Sequence, residues 1–225
     1  MLRGLVGTTV TTYDLVSDGA SPETTFRTWV ITEKLVERAA PLTEHDVRMG
    51  RGSPKTVGKF LCHLADDPKQ IAFMRIYQQI PITGTEDADN DTLARQAVPP
   101  GVCGELEAFK LLQRGGCSAV PRFLGHAEGI QGEHDLLPGG YVRYLVWEKV
   151  PGEPLTEEFF WGLDDTARND IRCKFRAAYN RISGFRRGWP VIELPEWSEA
   201  RYVEYGLAKP SKETDWYLHP EKWEW

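Results

Sequence analysis

The sequence predicts an α+β fold, in which an antiparallel sheet with one helix is followed by a mostly helical C-terminal part. Three observations support this prediction. Two β-prone runs, at 56–64 and 70–77, flank a polar turn, an arrangement typical of a β-hairpin. An amphipathic stretch at 103–113 predicts a helix. After a sharp break at the Pro-Gly-Glu-Pro sequence of residues 151–154, the apolar spacing becomes helical.

Each element of the sheet region has its own local signal. Residues 25–36 partly alternate between polar and apolar side chains, which is compatible with a strand or a short helix. Residues 81–101 form a long acidic stretch that is typical of a flexible loop. In the helix at 103–113, Leu106, Phe109 and Leu112 share one face, and two glycines end the helix. The strands expected at 120–125 and 141–149 complete the sheet.

The C-terminal part begins with a short helix at 156–161. Asp164 or Asp165 is positioned to cap a longer helix that runs to about residue 183, with apolar side chains on one face. Three tryptophans fall in the last ten residues, and we expect this tail to pack back onto the body of the protein. The predicted domains are therefore 1–150 and 151–225.

Composition limits the classes of partner. The 225 residues carry a net charge of −6 and are 41% apolar, which argues against a nucleic-acid-binding protein. No apolar run approaches the ~20 residues that span a bilayer, so no membrane partner is expected. The N-terminal segment lacks the apolar core of a signal peptide. Four isolated cysteines without a Cys-x-x-Cys pair predict reduced thiols, no metal site and a cytoplasmic location.

The order of these elements resembles the protein-kinase-like superfamily over residues 56–210, especially fungal kinase-like and aminoglycoside-phosphotransferase-like proteins. In this resemblance, Arg75 replaces the strand lysine that holds nucleotide phosphates. Glu105, or alternatively Glu107, matches the helix glutamate that pairs with that lysine. Residues 145–155 (LVWEKVPGEPL) look like the strand and hinge of small-molecule kinases. The resemblance implies a kinase-like N-lobe, an antiparallel sheet plus helix, followed by a truncated and degenerate C-lobe.

The catalytic residues of that superfamily are missing. Aligning the catalytic loop on Pro190 places Phe185 at the histidine and Arg187 at the aspartate. Ile192 then stands at the asparagine. An arginine cannot act as a general base at neutral pH, and an isoleucine cannot bind Mg²⁺. Glu204, at the position of the second metal-binding aspartate, would act alone, so the resemblance implies a scaffold without phosphotransfer.

Six residues are candidates for ligand binding in the former nucleotide cleft that the resemblance implies: Arg75, Glu105, Trp147, Glu148, Glu204 and Tyr205. All of them except Glu148 have a structural alternative. The Arg75–Glu105 pair either braces a strand against a helix or anchors a ligand, and Trp147 either stacks on a ligand or points into the core. No catalytic residue is identified, and neither a cofactor nor a metal is expected.

The expected partner is a small apolar metabolite, because the cleft side chains remain large while the phosphate machinery is lost. If the protein is an enzyme, a cofactor-free cyclase or isomerase of secondary metabolism, of the Diels–Alderase type, fits such a pocket. The alternative is a non-catalytic pseudokinase that serves as a protein-binding scaffold. Residual phosphotransfer through Glu204 ranks last. A homodimer is expected if a second copy, rather than the tail, covers the helix at 165–183.

Overall fold

Six antiparallel strands close into a barrel in the computed structural model, which describes residues 2–17, 22–185 and 196–225. The strand order around the barrel is β1-β2-β3-β4-β6-β5. In chain order the strands are β1 Thr9–Ser17, β2 Pro22–Ala40, β3 Lys55–Leu64, β4 Asp67–Gln79, β5 Phe123–Ile130 and β6 Tyr141–Glu148. The α-helices are α1 Glu44–Arg48, α2 Asn90–Ala94, α3 Gly104–Arg114, α4 Glu157–Trp161, α5 Asp165–Phe185 and α6 Ala200–Glu204.

The chain divides into two compact units. The barrel unit comprises Met1–Lys110 and Pro121–Lys149, and the helical unit comprises Leu111–Val120 and Val150–Trp225.

The predicted fold class, a kinase-like N-lobe sheet plus a helical C-terminal part, is wrong, because the sheet is closed. The β3–β4 hairpin, α3 and β6 lie where the sequence pattern places them. The prediction misses β1 and leaves β2 open between strand and helix. Those two strands pair with each other, while β2 also pairs with β3 and β1 with β5, which converts an open sheet into a barrel. The acidic stretch at 81–101 also contains a short helix, α2, capped by Asp89.

Closure depends on the contact between β1 and β5, where Tyr13 pairs with His126. Gly125, next to this pair, has a φ of 132°, and a Cβ there would lie 2.9 Å from Thr12 Oγ1 and 3.0 Å from Tyr13 O. Only glycine allows this backbone conformation together with so close an approach of the two strands. Gly125 therefore permits the barrel to close.

The barrel interior is packed at one end and less covered at the other. Trp29, Phe60 and Met74 are fully buried in the interior, and the Trp29 indole donates to Thr12 Oγ1 at 3.0 Å. Along β4 the inward-facing side chains are fully buried from residue 72 to 76, but Gln78 is only half-buried. Along β6, Val146 is fully buried while Tyr144 and Val142 are half-buried. The interior is thus accessible where β4 ends and β6 begins.

Helix α3 covers part of the outer face of the barrel. Its Leu106 belongs to a buried cluster with Phe123, Leu145 and Trp147, and Phe109 packs against this cluster. The side chains of β6 are therefore buried on both faces of the sheet.

The helical unit has its own core. Phe160, Tyr202 and Trp223 are buried together, and Ile171 and Phe175 of α5 pack against them. Asp164 caps α5 by accepting a hydrogen bond from Ala167 N at 2.8 Å. The prediction that the tryptophan-rich tail packs back is confirmed within this unit, since Trp216, Trp223 and Trp225 all join the cluster. The tail thus covers part of the apolar face of α5, and a second copy, the other cover that was expected, stays a prediction.

No α-helix in the described ranges combines the length and the apolar character that crossing a membrane requires.

Candidate functional site

Two of the predicted site residues form an ion pair on the outer face of the barrel. Arg75 of β4 points outward and donates from Nη1 to Glu105 Oε1 of α3 at 2.7 Å. The hydroxyl of Tyr77, two residues further along β4, donates to the other carboxylate oxygen. Both oxygens of Glu105 are therefore occupied by donors from one strand. The arrangement braces α3 against β4.

Trp147 lies beside this pair with its ring buried. Trp147 as a residue is 7% exposed, and its ring stacks on Phe109 at a centroid distance of 5.7 Å and lies 5.3 Å from the Arg75 guanidinium. Of the two alternatives, packing into the core is the one that the structure shows. Glu148 pairs with Arg122, whose backbone N–H donates to Glu148 Oε1 at 2.9 Å. That bond holds the start of β5 against the end of β6.

The remaining candidates lie in the helical unit. Glu204 is the last residue of α6 and forms an ion pair with Arg201 one turn earlier. Tyr205 follows it, is 58% exposed, and places its ring 4.9 Å from that of Phe175. These contacts are local to α5 and α6. Arg187, Pro190 and Ile192, which the catalytic-loop alignment uses, lie outside the described residues.

A cavity of about 520 Å³ opens at the less covered end of the barrel. We call it the barrel-mouth cavity. It lies between the N-terminal segment, the ends of β4 and β5, the start of β6 and the loop at 131–140. Its apolar lining residues are Leu2, Leu5, Ile76, Ile130, Leu136 and Val142. Its polar lining residues are Arg3, Gln78, Gln131, His134, Asp135 and Tyr144.

The N-terminal wall of the cavity is held in place by Glu37 of β2. Glu37 Oε1 accepts hydrogen bonds from Leu2 N at 2.9 Å and from Thr56 Oγ1 at 2.8 Å, and Oε2 pairs with Lys34. Burial alone raises the pKa of Glu37, but the hydrogen bonds from Lys34, Leu2 and Thr56 outweigh it and lower the pKa to about 2. The carboxylate thus stays charged, and Leu2 remains 2% exposed at the barrel end.

Tyr144 presents the phenolic hydroxyl of the cavity lining. Burial raises the pKa of Tyr144 above its ordinary value, and the negative charge of Asp135 raises it further. The phenol therefore stays protonated near neutral pH. No described residue forms a hydrogen bond with this hydroxyl, so it is available to a ligand as a donor or an acceptor.

Sequence reasoning missed this cavity, although part of its signal was present. The inward-facing positions on β4 change from fully apolar to Gln78 towards one end, and on β6 the inward-facing Tyr144 brings a hydroxyl to the same end. Such a change marks a barrel end that is open to polar groups. This pattern identifies a cavity only when β1 is known to pair with β5, because only a closed sheet encloses an interior with an opening at its end.

Within the described part of the chain, one group of side chains has metal-ligand spacing. Ligand atoms of Glu213, Asp215 and His219 in the helical unit lie within 4.8 Å of one another. All three already have partners: Glu213 pairs with Lys222 at 2.7 Å, and His219 contacts Asp215 at 3.3 Å and Glu221 at 3.0 Å. We assign no metal to this group.

No protein-family model, curated protein or solved structure matches the chain. The resemblance to the protein-kinase-like superfamily accordingly stays a prediction, and the site must be interpreted from its own geometry.

Proposed function

We propose that the barrel unit binds a small molecule in the barrel-mouth cavity. The observation that carries this proposal is the cavity itself. Its volume of about 520 Å³ lies within the usual range of small-molecule sites, and barrel mouths are frequent places for such sites. The apolar side chains would contact most of the ligand, and a few convergent polar groups would fix its orientation.

This proposal modifies the function expected from the sequence. The sequence predicted a small apolar metabolite as the ligand. The proposed ligand instead has an apolar body and a polar group, because half of the lining residues are polar. The proposed place is the barrel mouth rather than a nucleotide cleft. Phosphotransfer is not part of the proposal, since none of Arg75, Glu105 and Glu204 lines the barrel-mouth cavity.

Cyclase or isomerase activity on the bound molecule stays a prediction. It would show as conversion of a bound compound that ceases in a Tyr144→Phe variant. The scaffold alternative and the homodimer also stay predictions, to be checked by co-purification of a stoichiometric partner and by light scattering. A cytoplasmic location is part of the proposal. It is supported by four cysteines that are all free thiols, and cell fractionation tests it.

The proposal is tested by titrating the protein with Nile red, a neutral dye whose fluorescence rises in apolar surroundings. We expect saturable binding at one site. Val142→Trp should weaken this binding by roughly tenfold or more, because the half-buried Val142 lines the cavity and an indole there would fill it.

The matched control is Ile71→Trp. Ile71 is 50% exposed on β4 and is not part of the cavity lining, so the dye affinity should not change. Equal affinities of both variants and the parent protein would place the dye elsewhere and count against the proposal. Absence of saturable binding to the parent protein would do the same.

A further inference from the structure

The hydrogen bonds at the barrel mouth fix the direction in which its amide groups point. Gln131 is 5% exposed, and its Nε2 donates to the backbone oxygen of Gln79 at 2.8 Å. Its Oε1 accepts from Leu137 N at 3.2 Å. A backbone acceptor at one side and a backbone donor at the other leave a single orientation for the Gln131 amide.

This orientation determines that of Gln78. Since Gln131 offers its oxygen, Gln78 must turn its Nε2 towards it, and the two atoms lie 2.6 Å apart. The Oε1 of Gln78 is then the free end of the amide. No described residue donates a hydrogen bond to it, and Gln78 is half-buried in the cavity lining. The cavity therefore presents an unused acceptor.

Asp135 adds a second acceptor and a negative charge. One of its oxygens, Oδ2, accepts from Gly132 N at 2.7 Å, which shapes the loop at 131–140. In the part of the chain that the structure describes, neither Arg3 nor any other cation forms an ion pair with Asp135. Its charge also reaches the hydroxyl of Tyr144, since it helps to raise the pKa of that group. The half-buried part of the lining thus presents the Gln78 acceptor, while the two charged lining residues, Asp135 and Arg3, are both exposed.

We infer that the ligand of the barrel-mouth cavity carries a head group that donates hydrogen bonds, an amine or an alcohol, on an apolar body. This inference rests on the proposed function. The head lies between Gln78 Oε1 and Asp135, and the Tyr144 hydroxyl accepts or donates as the head requires. A carboxylate head is disfavoured at this position, because it would face the Gln78 acceptor and the like charge of Asp135; Arg3, the cation of the lining, is exposed at the rim.

The test is displacement of Nile red by three compounds with one body and different heads: 4-phenylbutylamine, 4-phenylbutan-1-ol and 4-phenylbutyrate. We expect the amine and the alcohol to displace the dye, and the amine to bind at least tenfold more tightly than the carboxylate at low ionic strength. Because Asp135 is exposed at the rim, added salt should reduce the advantage of the amine.

Two variants test the assigned groups. Asp135→Asn should bring the affinity for the amine down to that for the alcohol, while its amide oxygen still accepts from Gly132 N. Gln78→Leu should weaken the amine and the alcohol severalfold more than it changes the affinity for Nile red, which has no hydrogen-bond donor to lose at this acceptor. Asp66→Asn is the matched control, since Asp66 is an exposed carboxylate in the β3–β4 turn, away from the cavity lining.

The outcomes separate the two proposals. Tightest binding of 4-phenylbutyrate, or an amine affinity that Asp135→Asn does not alter, would overturn the inferred head group and leave the proposed function standing. Nile red binding that none of the three compounds competes with would also overturn the inferred ligand class. Absence of saturable Nile red binding would overturn both proposals.

Discussion

Glu105 illustrates how one carboxylate links two elements of the barrel unit. It accepts from Arg75 and from Tyr77, which lie two residues apart on β4 and therefore on the same face of the strand. The Arg75 and Glu105 side chains are 32% and 24% exposed. This partial burial is enough for removal of the pair to lower the free energy of unfolding. The loss should be smaller than for a fully buried charge pair.

Replacement of Glu105 by glutamine should lower the free energy of unfolding by about 1–3 kcal/mol, because Arg75 loses its counter-charge and one donor loses its acceptor. Urea denaturation measures this loss. Glu107→Gln is the matched control, since Glu107 is 44% exposed and pairs loosely with Lys110 at 3.6 Å. For Glu107→Gln we expect the free energy of unfolding to fall by less than about 0.5 kcal/mol. Equal losses for the two variants would contradict the role given to Glu105.

At this scale the sequence was informative about Arg75 and Glu105 but not about Trp147. The resemblance paired the first two, and they do form an ion pair. The direction of the Trp147 ring could not be predicted, because β6 is buried on both faces. Val146 points into the barrel and Trp147 lies under α3, so polar and apolar residues do not alternate.

At the scale of the elements, the pairing of β1 with β5 closes the barrel, and it contains a buried histidine. His126 is 6% exposed, its ring lies 4.3 Å from that of Tyr13, and no described residue pairs with its Nδ1. Burial lowers the pKa of His126, and Lys110 lowers it further, while Glu128 and Asp14 act in the opposite direction. The imidazole is therefore neutral in the folded protein near pH 7.

This predicts a loss of stability in mild acid. Above the ordinary pKa of 6.5 the imidazole is neutral in both states, so it adds no pH dependence. Below 6.5 the unfolded chain binds a proton more readily, and the free energy of unfolding should fall until the pH passes the lowered folded-state pKa. Chemical denaturation between pH 7.5 and about 5 measures the slope.

His126→Gln should remove most of this slope. The exposed His45, replaced by glutamine, should leave it intact and serves as the matched control. A slope that persists in the His126 variant would mean that another group causes the pH dependence.

The N-terminal wall of the cavity depends on a glycine of β3. A Cβ at Gly58 would lie 2.6 Å from Leu2 Cδ1 and 2.7 Å from Phe60 Cε2. Gly58→Ala should therefore displace Leu2 from the barrel end, lower the free energy of unfolding by about 1–3 kcal/mol, and change the affinity for Nile red. Urea denaturation and dye titration measure the two effects.

Gly129→Ala is the matched control for this prediction. Gly129 lies on β5, and a Cβ there would meet only Val142 Cγ1, at 3.4 Å. We expect a change of less than about 0.5 kcal/mol, since that contact needs only a small adjustment. If both alanine variants behave alike, Leu2 is not held by the fit against Gly58.

The elements with strong local patterns were predictable, and barrel closure was not. The β3–β4 hairpin, α3 and α5 follow from turn residues, helical spacing and a capping aspartate, all of which are local. The pairing of β1 with β5 joins residues more than 100 positions apart, and no local pattern specifies it. In β2 the register shifts at Ile31/Glu33 and Lys34/Val36 interrupt the alternation, which is why that segment was ambiguous.

At the scale of the whole molecule, each unit has a core of its own. Leu2, Trp29, Phe60 and Met74 belong to the barrel core, and the helical unit is centred on Phe160, Tyr202 and Trp223. The aromatic tail that the sequence predicted to pack back is part of the second core. A mutation in that core should therefore act first on the helical unit.

Trp223→Ala tests this division. Trp223 is 6% exposed, donates from Nε1 to Trp216 O at 2.8 Å, and packs against Trp225 at a centroid distance of 5.5 Å. Its removal should cost the helical unit about 3–5 kcal/mol. In hydrogen exchange, α4, α5 and α6 should lose protection while β3, β4 and β6 keep theirs. Tyr217→Ala, at a neighbouring side chain that is 58% exposed, should change neither set. Equal loss of protection in the strands would mean that the two cores unfold as one, because only a shared cooperative transition carries a local loss into the other unit.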